Sequence, residues 1–502
     1  MKKFIHYYPF LLSIYPIIFL YSINKEQVYF LEIIVPIGIS IFMTFLLVLL
    51  FNLLTKNKDK AGIITTFILF VFFSYGLIFN SLINKKIGQI ALDNHQLLLA
   101  IWSILFIVVY FLILRTRKNL TSLSSFFTIV SLALIAITTF SILFAKFENK
   151  SRYLEQNQEK ITLTAEQEDN LPDIYYIILD SYTSNNNLQK IYGYNNNEFT
   201  DNLKSKGFIV PSNSQSNYAN TFLSLSSSLN MKYINGLSED LGENSQNRSI
   251  TYDMISNNKI YSLLKSINYK SILVSPSWGP ANASSKADFS FRYDSGGEFR
   301  SILFKTTMLR VTGNQKNDRE RTLYEFTKLS EIPSAIKDPK FVFVHIICPH
   351  APYVFDANGE PVNKDKLLIP GGDWKQKDDY VNQLIYINKE VNKTVDDILA
   401  SSKNPPIIII QADHGTASTF SDDQWNNPSE ESYGERMGIF NAYYLPNGGD
   451  NIIYDNITPV NSFRLIFNYY FKTNYEKLDD RSYFSTYGQP YKFLDVTEKV
   501  KF

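Results

Sequence analysis

"PPIIIIQADHG", residues 405–415, decides how this chain is read. Four consecutive isoleucines between a proline pair and a glycine form a short apolar run bounded by breakers, the pattern of a fully buried strand. Buried strands of open α/β sheets carry functional groups at their carboxyl ends. Here that end holds Asp413 and His414, in a chain with only five histidines. The stretch therefore predicts a strand that delivers two metal-ligand side chains to a site. A surface turn that happens to hold an Asp and a His is the alternative.

Other strand ends repeat the arrangement. "DIYYIILDSYTS" (173–184) ends its apolar run at Asp180, and "YKSILVSPSWGP" (269–280) ends at Ser275 and Trp278. "KFVFVHIICPHAPY" (340–353) ends at His350. Helical-period stretches alternate with these runs, the signature of βαβ units around a parallel sheet. In such a sheet the carboxyl ends share one edge, so Asp180, His350, Asp413 and His414 are expected to meet. "SNYANTFLSLSSSLNMKY" (216–233) predicts a short helix capped by Asn220, with Thr221 at its start. Free N–H groups and the helix dipole favour an anion there. A divalent cation held by Asp180, Asp413 and His414 would lower the pKa of the Thr221 hydroxyl and polarise a phosphoryl oxygen. His345, inside its strand and five residues before His350, reads as a satisfied buried histidine on the opposite face.

The rest of the chain sets the context. A mean hydropathy of −0.11 hides a sharp division between an apolar first third and a polar, Asn-rich remainder. Five runs are long enough to cross a bilayer, which takes about 20 apolar residues. They cover roughly 4–21, 28–54, 61–83, 96–114 and 120–145. Lys2 and Lys3, "TKNKDK" (55–60) and "RTRK" (115–118) fall on one side, against Lys25, Lys85 and Lys86 on the other. The positive-inside rule then places the amino terminus in the cytoplasm and everything after Ala145 outside. Residues 1–145 are expected to be a transmembrane domain, 146–171 a polar linker, and 172–502 an exoplasmic catalytic domain. No small-residue cleavage site follows the first run, which reads as a retained span. A net charge of +1 without a basic stripe argues against nucleic acid as a partner. The single cysteine, Cys348, excludes an internal disulfide framework. The Asn, Lys, Ile and Tyr bias suggests an AT-rich bacterial genome.

The ordered set "LDSYT", "NTFLSLSSSLN", "HIICPHAPY" and "ADHG" resembles the alkaline phosphatase/sulfatase superfamily. With five spans in front, the chain looks especially like its membrane-anchored branch, the lipoteichoic acid synthases and phosphoethanolamine transferases. The resemblance covers roughly 172–450 in motif order. It implies a five-span α-helical bundle followed by an α/β/α sandwich. Residue by residue, Asp180 matches the first acidic metal ligand, usually Glu in the synthases, and Thr221 matches the threonine nucleophile, itself a metal ligand. Asp413 and His414 match the late metal pair. His350 matches the histidine that contacts the phosphate or, in some relatives, a second zinc. Trp278 matches an aromatic residue of the substrate pocket. Arg436, in "GERMGIFNAYYLP" (434–446), is a candidate contact for an anionic substrate, with a structural ion pair as the alternative.

Departures from the family pattern narrow the expected chemistry. Sulfatases mature a Cys or Ser to formylglycine and need Pro and Arg two and four residues later, whereas "FLSLS" follows Thr221. Two-metal relatives bring a further histidine after the Asp-His pair, and His414 is the last histidine of this chain. One divalent ion, zinc or manganese, is expected. The implied activity is transfer of a phosphate-linked head group, phosphoglycerol or phosphoethanolamine, from a phospholipid donor through a phosphothreonine. The implied acceptor is a cell-envelope glycan or lipid-linked sugar. The setting is a bacterial inner or cell membrane, with the catalytic domain periplasmic or extracellular. A membrane-anchored hydrolase and a catalytically inactive sulfatase-like scaffold are the alternatives.

Overall fold

The computed structural model describes the chain apart from residues 1–6, 26–27, 29, 83–84, 88–89, 93, 145–158, 164–170, 277–278, 280, 282–286, 294–296, 313–315, 363–372, 421–424 and 501–502. Trp278, Lys2, Lys3 and most of the expected linker 146–171 lie outside the described residues. The chain divides into two compact units, one of residues 1–150 with 294–314, the other of 151–293 with 315–502.

The first unit is helical: α1 (Tyr8–Asn24), α2 (Ile34–Thr55), α3 (Lys58–Leu82), α4 (His95–Arg115) and α5 (Thr121–Phe144). The last four are each long and apolar enough to cross a membrane. The first apolar run makes the 17-residue α1, with Pro16 inside it and Pro9 in its first turn. Side chains such as Ile104, Phe111 and Leu112 of α4 are more than half exposed. A continuous exposed apolar surface of this kind suits lipid rather than water. Among polar groups, Asp59 of α3 accepts hydrogen bonds from the Thr121 and Ser124 hydroxyls of α5, at 3.0 and 2.6 Å.

The second unit is built on six strands: β1 (Ile174–Leu179), β2 (Lys270–Ser275), β3 (Phe289–Arg292), β4 (Lys340–Ile346), β5 (Ile407–Gln411) and β6 (Asn441–Tyr444). Their order is β3-β2-β4-β1-β5-β6. All neighbours are parallel except β5 and β6, which run antiparallel. The central strands are buried along their whole length. That explains why their sequences are continuous β-branched and aromatic runs rather than alternating ones.

The two-residue period of β1 divides the core. Tyr175, Ile177 and Leu179 face one layer with Phe326 and Leu329 of α8 (Lys316–Ala335) and Ile387 and Val391 of α9 (Lys377–Ser401). Ile174, Tyr176 and Ile178 face the other, with Leu225 and Leu229 of α6 (Thr221–Asn230) and Phe463 and Phe467 of α11 (Pro459–Phe471). The unit is thus an α/β/α sandwich. Register pairs Leu179 with Ile346, and Ile178 with both His345 and Gln411. Hence Asp180, the loop after β4 and the Asp413–His414 pair leave the sheet side by side.

Candidate active site

Asp413 and His414 follow β5 immediately and are both almost fully buried. The carboxylate Oδ1 of Asp413 accepts from the backbone N–H of Ser181 at 3.1 Å and of His414 at 2.9 Å. Its Oδ2 is buried with no hydrogen-bond partner among the described residues. A buried carboxylate oxygen left so is costly unless a cation faces it. The Nε2 of His414 lies 3.3 Å from that oxygen, 4.0 Å from Asp180 Oδ1 and 3.1 Å from Thr221 Oγ1. Ligands of a tetrahedral ion with bonds of about 2.1 Å sit about 3.4 Å apart. The spacings from His414 Nε2 to Asp180, Thr221 and Asp413, 3.1–4.0 Å, bracket that value.

Why Thr221 reaches this point is local. It opens α6, whose Phe222–Leu229 are buried, so the first residue is fixed at the sheet edge. Asn220 occupies the N-cap position with an extended backbone, but its side chain makes no cap bond. It donates instead to the Ser485 carbonyl at 3.2 Å. The expected side-chain cap is absent because that amide is pulled away. The backbone carbonyl of Asn220 still accepts from the Leu223 and Ser224 N–H groups, at 3.0 and 2.9 Å.

Two histidines surround Asp180 differently from the sequence expectation. His345 is buried, but it is not confined to the core: its Nε2 lies 3.1 Å from Asp180 Oδ2, while its Nδ1 has no hydrogen-bond partner among the described residues. Asp180, His345 and Asp413 offer ligand atoms all within 4.8 Å of one another. The period-two argument fails because the strand ends at Ile346, so His350 is not on either face of it. His350 sits in the following loop, where its N–H donates to the Asp180 carbonyl at 3.1 Å. Its ring packs edge-on against Trp374 at 4.9 Å.

Burial disfavours a charged Asp180, yet His350, His345 and His414 together hold its carboxyl well below the usual carboxylate range. For His345, burial is outweighed by the Asp180 hydrogen bond and the fields of Asp180, Asp413 and Glu325, which raise it. Burial and then the Arg436 guanidinium push His414 down to about 4, so its imidazole is neutral. Nδ1 of His414 lies 3.0 Å from the Gly415 carbonyl, which needs the proton on Nδ1. The Nε2 lone pair then faces Thr221.

Further residues complete the frame. Ser181 adopts a left-handed backbone with φ 60°, donates from Oγ to Asp180 Oδ1 at 2.8 Å, and lies 3.2 Å from His414 Nδ1. Strained conformations of this kind persist where surrounding bonds over-determine them. Arg436, in α10 (Glu430–Met437), makes no ion pair among the described residues. It donates to the carbonyls of Ala219 and Gly415 at 2.8 and 3.0 Å, tying the approach to Thr221 to the residue after His414. Its neighbour Glu435 is fully buried and accepts from Thr416, Thr419 and the Ser418 and Thr419 N–H groups at 2.6–2.7 Å. The glycine of "ADHG" follows from the same packing: a Cβ on Gly415 would lie 2.1 Å from the Glu435 carbonyl. Ser181, His345 and Glu435 were not singled out as site residues from sequence. The polar Ser directly after Asp180 and the His in an apolar strand were their only signals.

Among known proteins, no curated sequence matches. The C-terminal periplasmic domain of EcEptC from Escherichia coli aligns at 12% identity over 65% of this chain and 93% of its own, with TM-score 0.44. The integral membrane lipooligosaccharide phosphoethanolamine transferase A (EptA) from Neisseria meningitidis aligns at 11% identity over 91% and 94%, with TM-score 0.39. A putative sulfatase from Bacteroides thetaiotaomicron aligns at 14% identity over 63% and 74%, also with TM-score 0.39. The sulfatase family model matches residues 172–440, just over half of the chain and every strand-end residue described above. This chain therefore belongs to the sulfatase family and is an enzyme of that superfamily.

Proposed function

We propose that the protein transfers a phosphate-linked head group from a membrane phospholipid to an envelope glycan, with Thr221 as nucleophile. The observation that carries this reading is the 3.1 Å approach of Thr221 Oγ1 to His414 Nε2, beside an unpartnered Asp413 oxygen. Asp180, Asp413, His414 and Thr221 would hold one zinc or manganese ion. Such an ion supplies a Lewis acid that favours the alkoxide form of a hydroxyl and offsets charge on a phosphoryl oxygen.

The chain's own residues account for the remainder. Thr221 Oγ attacks phosphorus, its bond to phosphorus forms, and the bond to the glycerol oxygen breaks, that oxygen leaving with a proton as diacylglycerol. The acceptor hydroxyl then attacks the same phosphorus and gives up its proton, the bond from phosphorus to Thr221 Oγ breaks, and Thr221 regains a proton. His350, held beside Asp180 by its backbone, would stabilise the phosphoryl oxygens or protonate the leaving group. Arg436 fixes the two loops that carry Thr221 and His414 through its bonds to their carbonyls, and its remaining donors would be available to an anionic substrate. In this reading the helical unit forms five spans, with α1 the shortest, and the sandwich lies outside the membrane.

Membership of the sulfatase family supports a second reading, hydrolysis, in which water replaces the glycan hydroxyl. Full-length protein incubated with labelled phosphatidylglycerol or phosphatidylethanolamine tests both. Diacylglycerol release that requires a glycan acceptor and stops with chelator indicates transfer; release in buffer alone indicates hydrolysis. A phosphate-bearing adduct on Thr221, absent in Thr221→Ala, is expected by mass spectrometry. An intact adduct in Thr221→Ala refutes the nucleophile.

A further inference from the structure

Residues 294–314 follow β3 and precede α8 in sequence, yet they belong to the helical unit. Within them α7 (Gly297–Thr306) and a 3-10 turn (Met308–Thr312) pack on the helices. Phe299 is fully buried with Ile17, Tyr21, Val28 and Ile33. Met308 joins Tyr75, Phe79 and Leu98. The approach at α3 is close, since a Cβ on Gly76 would lie 2.2 Å from the Lys305 carbonyl. The segment "FRSILFKTTMLRV" (299–311) mixes this apolar set with Arg300, Lys305 and Arg310, the composition of an interfacial element.

Arg310 is where the charge is left over. Its Nη1 donates to Asn80 Oδ1 at 2.5 Å and to the Lys305 carbonyl at 3.4 Å, and its guanidinium stacks over Phe79 at 4.5 Å. The other face of the cluster is His95, whose ring stacks on Phe79 at 4.1 Å and whose Nδ1 lies 2.9 Å from Tyr75 Oη. No carboxylate lies within ion-pair distance of Arg310 among the described residues. A guanidinium has five donors in a planar fork suited to phosphate, and most of these are unspent. Depth in the bundle identifies the anion. The apolar part of α3 begins at Ala61, and about 20 residues on, the length of one bilayer crossing, it reaches Phe79 and Asn80. Arg310 is thus held at the boundary where phospholipid phosphates lie.

We propose that Arg310, presented by this inserted segment against Phe79 and Asn80, seats the phosphate of a membrane glycerophospholipid at one end of the helical unit. Its residues all belong to the helical unit, and the proposal does not depend on the activity proposed for the Thr221 cluster. Full-length protein, delipidated in neutral detergent, is titrated with short-chain phosphatidylglycerol, diacylglycerol or inorganic phosphate, and binding is read by native mass spectrometry. Tighter binding of phosphatidylglycerol than of diacylglycerol is expected, with at least a 10-fold loss in Arg310→Gln. Arg310→Lys should recover most of it, and Asn80→Ala, which removes the hydrogen bond to Arg310 but keeps the charge, should lose no more than about 3-fold. Equal retention by wild type and Arg310→Gln overturns the proposal. So does equal loss in Asn80→Ala and Arg310→Gln, which marks a structural contact only. Arg310-dependent binding of inorganic phosphate without lipid selectivity overturns the lipid assignment.

Discussion

His345 shows how much one side chain can depend on its surroundings. In the sequence it is a polar residue in an apolar strand; in the structure it fixes one oxygen of Asp180 while the other oxygen faces Ser181 and His414. Groups that hold a ligand in place typically change metal affinity 10–100-fold. His345→Gln should therefore lower bound zinc or manganese by at least about 10-fold in affinity. Metal content after equilibrium dialysis measures this apart from turnover, and unchanged content would remove His345 from the site. Gly415 gives a prediction of the opposite kind. With backbone carbonyls of Glu435 and Gly438 inside 3 Å of any Cβ, Gly415→Ala must displace either the Asp-His loop or α10. Overpacking on that scale costs roughly 3 kcal/mol. A thermal midpoint equal to wild type would contradict the packing.

At the level of elements, α8 carries a buried charge that the site does not use. Glu325 is fully buried, neither carboxylate oxygen has a hydrogen-bond partner among the described residues, and the nearest cation, Arg321, is 3.8 Å away. Burial pushes its carboxyl from an ordinary 4.5 up to about 8, with Arg321 only partly opposing. The folded state thus holds this proton more tightly than the unfolded chain does. Its contribution to stability is complete below about pH 4.5 and is lost as pH rises through about 8, a change on the order of 5 kcal/mol. Glu325→Gln should flatten the fall in thermal midpoint between those limits, and an unaltered pH profile would show that Glu325 is not the group responsible. The elements themselves were legible in the sequence. The β1, β4 and β5 runs stand where composition puts them, since strands buried on both faces need unbroken apolar runs. The antiparallel edge strand β6 was not, because period and composition carry no strand direction.

For the whole molecule, the ion proposed at the site would link it to global stability. Asp180, Asp413 and His414 come from two strand ends separated by more than 200 residues, so an ion that binds only the folded arrangement stabilises it by mass action. At a metal concentration about 100 times the dissociation constant the gain is about 2.7 kcal/mol. Chelator should lower the unfolding midpoint of the wild type, and should shift Asp413→Asn far less. Equal shifts in both would place the metal elsewhere.

The sequence by itself determined the layered α/β class, the apolar helices in front of it, and which strand ends bear acids and histidines. These follow from local periodicity and composition, which act over a few residues. Only the tertiary structure decided that His345 belongs with Asp180, that Arg436 and Glu435 hydrogen-bond the loops around the site, and that residues 294–314 leave the sandwich's sequence for the helical unit. Those outcomes depend on contacts between residues far apart in the chain, where sheet register and close backbone approach set which atoms meet, and no local pattern encodes them.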